Sequence, residues 1–446
     1  MSADARQPWH PDRRWADSLI ALLSLLALLV AGLTLAARQR SAQRPSERAS
    51  LQGRLVEVAL GGPGLLLHRE GASRDWVRVE SQAREPWDRA LLAVLRAELG
   101  DQKEPTTRWL DAITPAGTGG PGFRRACLAA YAGAPLPSDA DRAEVHRRLG
   151  AGYTADLLEA RLRDRETGGD ALRAQARRTL TTRLAGLAAM GSLVVAAAAG
   201  GLALLIYLLA TRDRPLPQPL PVWSLSGRAA ALVLLTWFLG FFLASNLSGL
   251  LVAPWPGLRW LAIPLGYTLH AALGIRLLCW AEGLRWRELW HRVAPGRPGR
   301  DLAWGGAFLG LAVLLVLAVA LVAGPLLSPD QSTQRDLQEL LRSLRGWLPN
   351  LALFLTITLL APCFEELFFR GFLLPVLAQR QRLALALVLS AVLFGAIHLQ
   401  PAGLPTLSAL GFVMGLAMRH TGSLRTPILI HACWNGSQFL LLRAFA

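Results

Sequence analysis

Residues 347–378 read WLPNLALFLTITLLAPCFEELFFRGFLLPVLA, an apolar stretch long enough to cross a bilayer. About midway along it stand Glu365 and Glu366, the only two carboxylates in the chain after Glu339. A lone acid at bilayer depth costs about 2.5 to 3.5 kcal/mol, so an apolar segment tolerates adjacent carboxylates only when they are neutralised or used. The pair therefore predicts a membrane helix with a functional site inside it.

The rest of the chain has the composition of a polytopic membrane protein. Of its 446 residues 52% are hydrophobic, and the apolar residues fall in blocks of about 20. We expect an all-α fold, a polytopic transmembrane helical bundle of about nine spans with an inserted, mainly helical extramembrane domain. The predicted spans are 18–37, 184–210, 229–253, 258–281, 302–327, 347–378, 383–397, 404–418 and 427–442.

The net charge of +16 does not indicate a nucleic-acid partner. The basic residues are spread among interhelical loops and one long polar segment, with no basic stripe interleaved with aromatic residues. Only Lys103 among the 47 basic residues is a lysine, which together with the richness in Ala, Leu, Gly and Pro suggests a GC-rich bacterial genome. The four cysteines form no CxxC pair, so they are expected to pack as small hydrophobic residues.

Charge and turn patterns predict the topology. The arginine-rich loop 285–300 is expected to be cytoplasmic, and alternation of the spans then places the N-terminus inside and the long polar segment outside a bacterial inner membrane. The first span is predicted to be a signal anchor, with cleavage after it as the alternative. The predicted parts are a cytoplasmic N-terminus (1–17), the anchor (18–37), an extracytoplasmic, mainly helical domain (38–183), further membrane helices (184–301) and a C-terminal core (302–446).

The two glutamates differ in their surroundings along the helix. Glu366 and Arg370 are spaced i to i+4, which puts them on one helical face in the orientation that favours an ion pair. Glu365 is turned by about 100° from its neighbour and has no cation at i+3 or i+4. We therefore predict that Glu366 and Arg370 support the site, while Glu365 finds its partners on other helices.

Three further polar residues lie in the last apolar spans. His398 ends the span 383–397, and His431 and Asn435 share one face of the last span at i, i+4 spacing. Any one of these histidines is explained by a structural hydrogen bond, but the set as a whole accumulates an insertion cost for every member. We expect the set to converge with the glutamate pair in a single site.

Such a site suits the hydrolysis of an amide bond. Glu365 can act as a general base on water, His398 can orient that water, and His431 and Asn435 can face the oxyanion of a tetrahedral intermediate. A divalent metal such as zinc, held by Glu365, His398 and His431, is a second version; otherwise no cofactor is expected. The sequence has no HExxH helix, and no GxSxG stands near a histidine and an acid.

These residues also form motifs in a recognisable order. Glu365-Glu366-Leu-Phe-Phe-Arg370 resembles EExxxR, Phe394-Gly-Ala-Ile-His398 resembles FxxxH, and His431-Ala-Cys-Trp-Asn435 resembles HxxxN. Together they resemble the CAAX prenyl protease and bacteriocin-processing (CPBP, or Abi) family of intramembrane endopeptidases. The resemblance covers about 302–442, and residues 421–431, TGSLRTPILIH, are similar to the approach to the last family motif.

The resemblance implies that Glu365 activates water with His398 and that His431 and Asn435 stabilise the oxyanion. It implies a membrane-associated or lipidated protein or peptide as substrate and the lipid bilayer as surroundings. It leaves open whether the mechanism depends on glutamate alone or on a metal ion, and it does not give the oligomeric state. Two other functions use the same residues. One is a non-catalytic membrane binding or immunity protein, and the other is a proton-coupled transporter, for which no inverted repeat is found.

Overall fold

All regular secondary structure in the described residues is helical. This computed structural model describes residues 9, 11–42, 58, 86–99, 120–150, 152–212, 219–296, 298–324, 340–341 and 343–445. The helices, numbered in chain order, are α1 Arg13–Ala42, α2 Pro86–Leu99, α3 Pro121–Ala132, α4 Asp139–Leu149, α5 Tyr153–Asp164, α6 Asp170–Ala210, α7 Gly227–Val252, α8 Ala262–Glu282, α9 Trp286–Val293, α10 Pro298–Ala323, α11 Trp347–Ala378, α12 Leu383–Ala396, α13 Leu404–Thr421 and α14 Arg425–Phe445. The predicted all-α class is confirmed.

Seven of the described helices are long and apolar enough to cross a membrane, namely α1, α6, α7, α10, α11 and the helices α8 and α13, each extended by the 3-10 turn before it. The two remaining predicted spans correspond to α12 and α14. Helix α12 has only 14 residues, fewer than the roughly 20 that a bilayer needs. Helix α14 is 21 residues long but carries His431, Asn435 and Arg443 among its apolar residues. The multi-pass membrane bundle is therefore confirmed. Helices α12 and α14 differ from its seven longer spans in length or in polar content.

The chain divides into two compact units. One is made of Met1–Ser41 and Val194–Arg443, and the other is built mainly from Ala42–Leu193. In the second unit α2 to α5 enclose a core that includes Leu91, Phe123 and Leu158, all fully buried. Much of the predicted polar domain, including 43–57, 59–85 and 100–119, lies outside the described residues.

Aromatic packing surrounds α11 in the first unit. The ring of Phe368 stacks on Trp237 of α7 with centroids 4.6 Å apart, and Phe364 meets His270 of α8 edge-on at 4.7 Å. Helix α12 packs on α13, and α13 packs on α10. Buried side chains thus hold α11 on several sides, which fixes the rotation of the helix that carries Glu365 and Glu366.

Candidate active site

Two prolines shape the helix that carries the glutamate pair. Helix α11 widens into π-helical stretches at Thr356–Leu360 and Leu367–Leu373, on either side of the α-helical turn Ala361–Glu366. Proline has no backbone N–H, so Pro362 cannot donate to Ile357 five residues earlier, and Pro375 cannot donate to Gly371 four residues earlier. Such π-stretches often mark functional sites. They leave carbonyl oxygens that side chains of other helices can reach.

Side chains do bind both of these carbonyls. Nδ2 of Asn435 donates to the oxygen of Ile357 at 3.0 Å, and Nε1 of the buried Trp223 donates to the oxygen of Gly371 at 2.9 Å. A backbone carbonyl without a partner inside an apolar bundle would be costly. The last helix is therefore tied to α11 by a residue of the predicted site, and the other end of the glutamate turn is tied to the segment before α7.

The centre of the site is a buried ion-pair network. The side chains of Glu366 and Arg370 are both fully buried. Oε1 of Glu366 accepts hydrogen bonds from Nη1 of Arg370 at 2.9 Å and from Nδ1 of His431 at 2.8 Å. Nη2 of Arg370 donates in turn to the backbone oxygen of Gly411 on α13, at 2.9 Å. Residues from three helices are thus joined through one carboxylate and one guanidinium.

Glu365 occupies the open side of this network. Its side chain is 15% exposed, whereas Glu366 beside it is fully buried. Oε2 of Glu365 lies 4.0 Å from Nε2 of His431, beyond hydrogen-bonding distance. The two ring nitrogens of His431 thus face the two glutamates, with Nδ1 bonded to Glu366 and Nε2 directed at Glu365.

This arrangement constrains the protons of His431. Oε1 of Glu366 already accepts from Arg370, so it acts as an acceptor towards Nδ1 of His431 as well, and Nδ1 carries a proton. A neutral imidazole has one N–H, so Nε2 can donate a hydrogen bond only when the ring is cationic.

The end of α12 fixes the ring of His398. The backbone N–H of His398 bonds to the oxygen of Gly395, three residues earlier, instead of to Phe394. The freed oxygen of Phe394 lies 2.7 Å from Nδ1 of the His398 side chain. A carbonyl only accepts, so Nδ1 carries the proton and Nε2 of a neutral His398 is left as an acceptor. His398 therefore presents Nε2 as a hydrogen-bond acceptor.

Phe394 lies against both histidines and the arginine. Its ring centroid is 5.0 Å from that of His398 and 5.6 Å from that of His431, and the guanidinium of Arg370 lies over the ring at 4.3 Å. The ring therefore supports both imidazoles and stabilises the buried cation. Contacts with Phe394 or with one another thus link Glu365, Glu366, Arg370, His398 and His431. Asn435 contacts the same helix through the oxygen of Ile357. The catalytic roles predicted for these residues stay a prediction.

A metal ion does not fit the side chains as they are placed. In the part of the chain that the structure describes, no group of three or more His, Cys, Asp or Glu side chains is arranged to hold one. Nδ1 of His398 faces a carbonyl and Nδ1 of His431 faces Glu366, and such bonds are compatible with metal binding through Nε2. The separation of the three side chains, and not these bonds, is what does not fit a metal ion. Glu365, His398 and His431 would have to move together before they could act as the predicted ligand set.

Two residues near the site escaped sequence reasoning. Arg38 of α1 donates hydrogen bonds to the backbone oxygens of His398 and Leu399, and nothing in the sequence relates positions so far apart. The backbone oxygen of Gly411 receives Arg370. Gly411 and Gly415 are spaced as in the small-xxx-small pattern, which indicates close helix packing but not a role in a site.

Comparison with known proteins agrees with the motifs. Residues 347–437 match the family described as type II CAAX prenyl endopeptidase Rce1-like. The matched segment contains every predicted site residue, from Glu365 to Asn435, and the predicted resemblance is confirmed. No curated protein and no solved structure matches the chain.

Proposed function

We propose, from the premise that residues 347–437 form a CAAX-endopeptidase-like region, that this membrane protein is an intramembrane endopeptidase. It hydrolyses peptide bonds of membrane-associated or lipidated proteins or peptides. The observation that carries the proposal is the placement of His431 between a fully buried Glu366 and a partly exposed Glu365. A structural ion pair needs only Glu366 and Arg370, so the second carboxylate is available for chemistry.

Glu365 acts as the general base in this mechanism. A water molecule held between Glu365 and Nε2 of His398 gives a proton to the Glu365 carboxylate while its oxygen bonds to the peptide carbonyl carbon. The carbonyl π electrons move to the oxygen, which becomes the oxyanion of a tetrahedral intermediate. The C–N bond then breaks, its electron pair stays on nitrogen, and the nitrogen takes the proton from Glu365. The base is restored as the acid and amine products form.

His431 and Asn435 stabilise the oxyanion. The cationic His431 donates through Nε2, and its charge is balanced by Glu366 at 2.8 Å. Asn435 uses one amide hydrogen for the oxygen of Ile357, so its second amide hydrogen is the one that can serve an oxyanion. Removing one such donor in other hydrolases lowers kcat by about 100-fold to 1,000-fold.

Glu366 and Arg370 position this machinery. The carboxylate of Glu366 sets the proton on Nδ1 of His431 and therefore the direction in which Nε2 points. Arg370 neutralises Glu366 and ties it to Gly411. No step of the mechanism passes through a metal ion.

Cleavage by the purified chain in liposomes tests the proposal. Membrane-anchored reporter peptides are supplied with and without a prenylated C-terminal cysteine, and wild type is compared with Glu365→Ala. We expect the wild type to cleave and Glu365→Ala to be inactive. Equal cleavage by the two proteins would remove Glu365 as the base. Absence of cleavage by the wild type in every arm would favour a binding or immunity role.

The proposed orientation has its own test. We propose a bacterial inner membrane with a cytoplasmic N-terminus, an anchor at 18–37 and an extracytoplasmic domain at 38–183. Ala140 in that domain is exposed, so Ala140→Cys, in a chain whose native cysteines are replaced, should react with a membrane-impermeant maleimide from the periplasmic side. Labelling only after the membrane is broken would reverse the orientation.

A further inference from the structure

The turn after α12 has an unusual backbone. Leu399 follows His398 directly and has a φ of 52°, the single positive φ at a non-glycine position among the described residues. Two hydrogen bonds to residues three positions earlier close the turn, from the N–H of His398 to the oxygen of Gly395 at 3.3 Å and from the N–H of Leu399 to the oxygen of Ala396 at 3.0 Å. A left-handed conformation costs a residue such as leucine roughly 1–2 kcal/mol. Contacts from elsewhere must therefore hold this turn.

Arg38 makes those contacts. Nη1 of Arg38 donates to the backbone oxygen of His398 at 2.7 Å and to that of Leu399 at 3.0 Å. These two oxygens lie just past the end of α12, where helix carbonyls lack partners within the helix. An arginine suits this place because it is always charged and can give one hydrogen to each oxygen.

Polar contacts near its ends attach α1 to the rest of its unit. No residue in the most apolar stretch of α1 is buried, so side-chain packing contributes little to its position. Near its first turn Asp17 pairs with Arg228 of α7 at 2.6 Å, and the backbone N–H of Trp9 bonds to the oxygen of Ala281. Towards the other end Arg38 reaches the turn after α12. The hydrogen bonds of Arg38 are therefore among the polar contacts that attach α1 to the other helices of its unit.

We propose that Arg38 is a positioning residue for His398. By bonding both oxygens of the turn, it holds Leu399 in the left-handed conformation, and this sets the backbone from which the His398 side chain extends. The His398 ring is bound to the oxygen of Phe394 at the same helix end, so a shift of this turn moves Nε2 away from the water that it orients. The inference rests on the proposed function, and it makes the anchor helix a part of the catalytic unit.

Substitution of Arg38 tests the inference in the liposome assay. Arg38→Ala should lower kcat by about 10-fold to 100-fold with little change in KM, the size of effect that a displacement of about 1 Å produces. Arg38→Lys should retain part of the activity because lysine still donates hydrogen bonds. Arg40→Ala is the matched control, since Arg40 is exposed two residues further along the same helix. An Arg38→Ala enzyme as active as Arg40→Ala would overturn the inference.

A second substitution separates positioning from folding. Glycine adopts a positive φ without the penalty that leucine pays, so Leu399→Gly should restore most of the kcat that Arg38→Ala loses. A double variant no more active than Arg38→Ala would show that the arginine acts otherwise, for instance by keeping α1 in place. The wild type separates the two proposals, because an inactive wild type refutes the proposed function, whereas an active wild type with an unaffected Arg38→Ala refutes only the role of Arg38.

Discussion

The imidazole of His431 donates through Nδ1 to Oε1 of Glu366 at 2.8 Å, and the same oxygen accepts from Arg370 at 2.9 Å. One carboxylate therefore neutralises a buried guanidinium and also fixes the proton of a site histidine. The second carboxylate, on Glu365, is left without a hydrogen bond among the described residues. The proposed mechanism gives the two adjacent glutamates different roles on the basis of this arrangement.

Loss of the Glu366 charge should destabilise the protein strongly. In Glu366→Gln the fully buried Arg370 loses its counter-charge, and breaking a buried pair from one side costs about 3–5 kcal/mol. Denaturation in mixed detergent micelles measures the free energy of unfolding. The double variant Glu366→Gln with Arg370→Met should regain much of this stability, because no unpaired charge remains. A single variant as stable as wild type would mean that the pair carries no such energy.

Substitution of Gly411 should disturb Arg370. A Cβ at this position would lie 3.0 Å from Nη2 of Arg370, 3.1 Å from the Phe394 ring and 3.2 Å from the Cα of Ala391. Because a backbone atom of the neighbouring helix blocks relaxation, we expect Gly411→Ala to lower the free energy of unfolding by about 1–3 kcal/mol and to reduce cleavage.

Gly415→Ala is the control for this substitution, since its Cβ would meet mainly the flexible end of Leu387 at 3.0 Å. The control should keep nearly full activity in the cleavage assay. Equal effects of the two alanines on activity would contradict a specific role of Gly411 in placing Arg370.

The role of Asn435 in the fold can be separated from its role in catalysis. Asn435→Ala leaves the oxygen of Ile357 without a donor, and an unpaired polar group costs about 1–3 kcal/mol. Adding Pro362→Ala supplies a backbone N–H that can reach this oxygen, so the double variant should regain stability. It should stay poorly active, because the oxyanion donor is still missing. Recovery of both properties would show that Asn435 serves the helix alone.

Chelation should leave cleavage unchanged. Among the described residues, the side chains of Glu365, His398 and His431 are not grouped as metal ligands, and the proposed base needs no metal ion. Activity is measured after dialysis against a chelator and again after zinc is added back. Loss of activity with recovery on zinc would contradict the glutamate mechanism and require these residues to gather around the metal.

Contacts within one helix were predictable from the sequence, whereas contacts between distant segments were not. The spacing of Glu366 and Arg370 predicts their pair directly, because residues four apart meet on a helix. The bond between His431 and Glu366 depends on how α14 packs against α11, which periodicity does not encode. The π-stretches made by Pro362 and Pro375 also alter the rotation of α11 along its length.

The contact between Arg38 and the turn after α12 is the clearest example of an interaction that the sequence pattern does not predict. Its separation from His398 in sequence is 360 residues, and at the end of an apolar span an arginine looks like an ordinary interfacial residue. The span count shows a similar limit. The predicted span 383–397 was counted as a membrane crossing because it is apolar throughout, although helix α12 has only 14 residues, fewer than a bilayer needs.

The turnover rate of Glu365→Gln tests the central claim most directly. Glutamine keeps the size of the side chain but cannot take a proton, and Glu288→Gln is the matched control because glutamine can still cap the short helix α9, as Glu288 does. With a membrane-anchored reporter in liposomes, we expect kcat of Glu365→Gln to fall by about 100-fold to 10,000-fold, while Glu288→Gln cleaves as the wild type does. A Glu365→Gln enzyme that keeps the turnover rate of Glu288→Gln would contradict the assignment of Glu365 as the base.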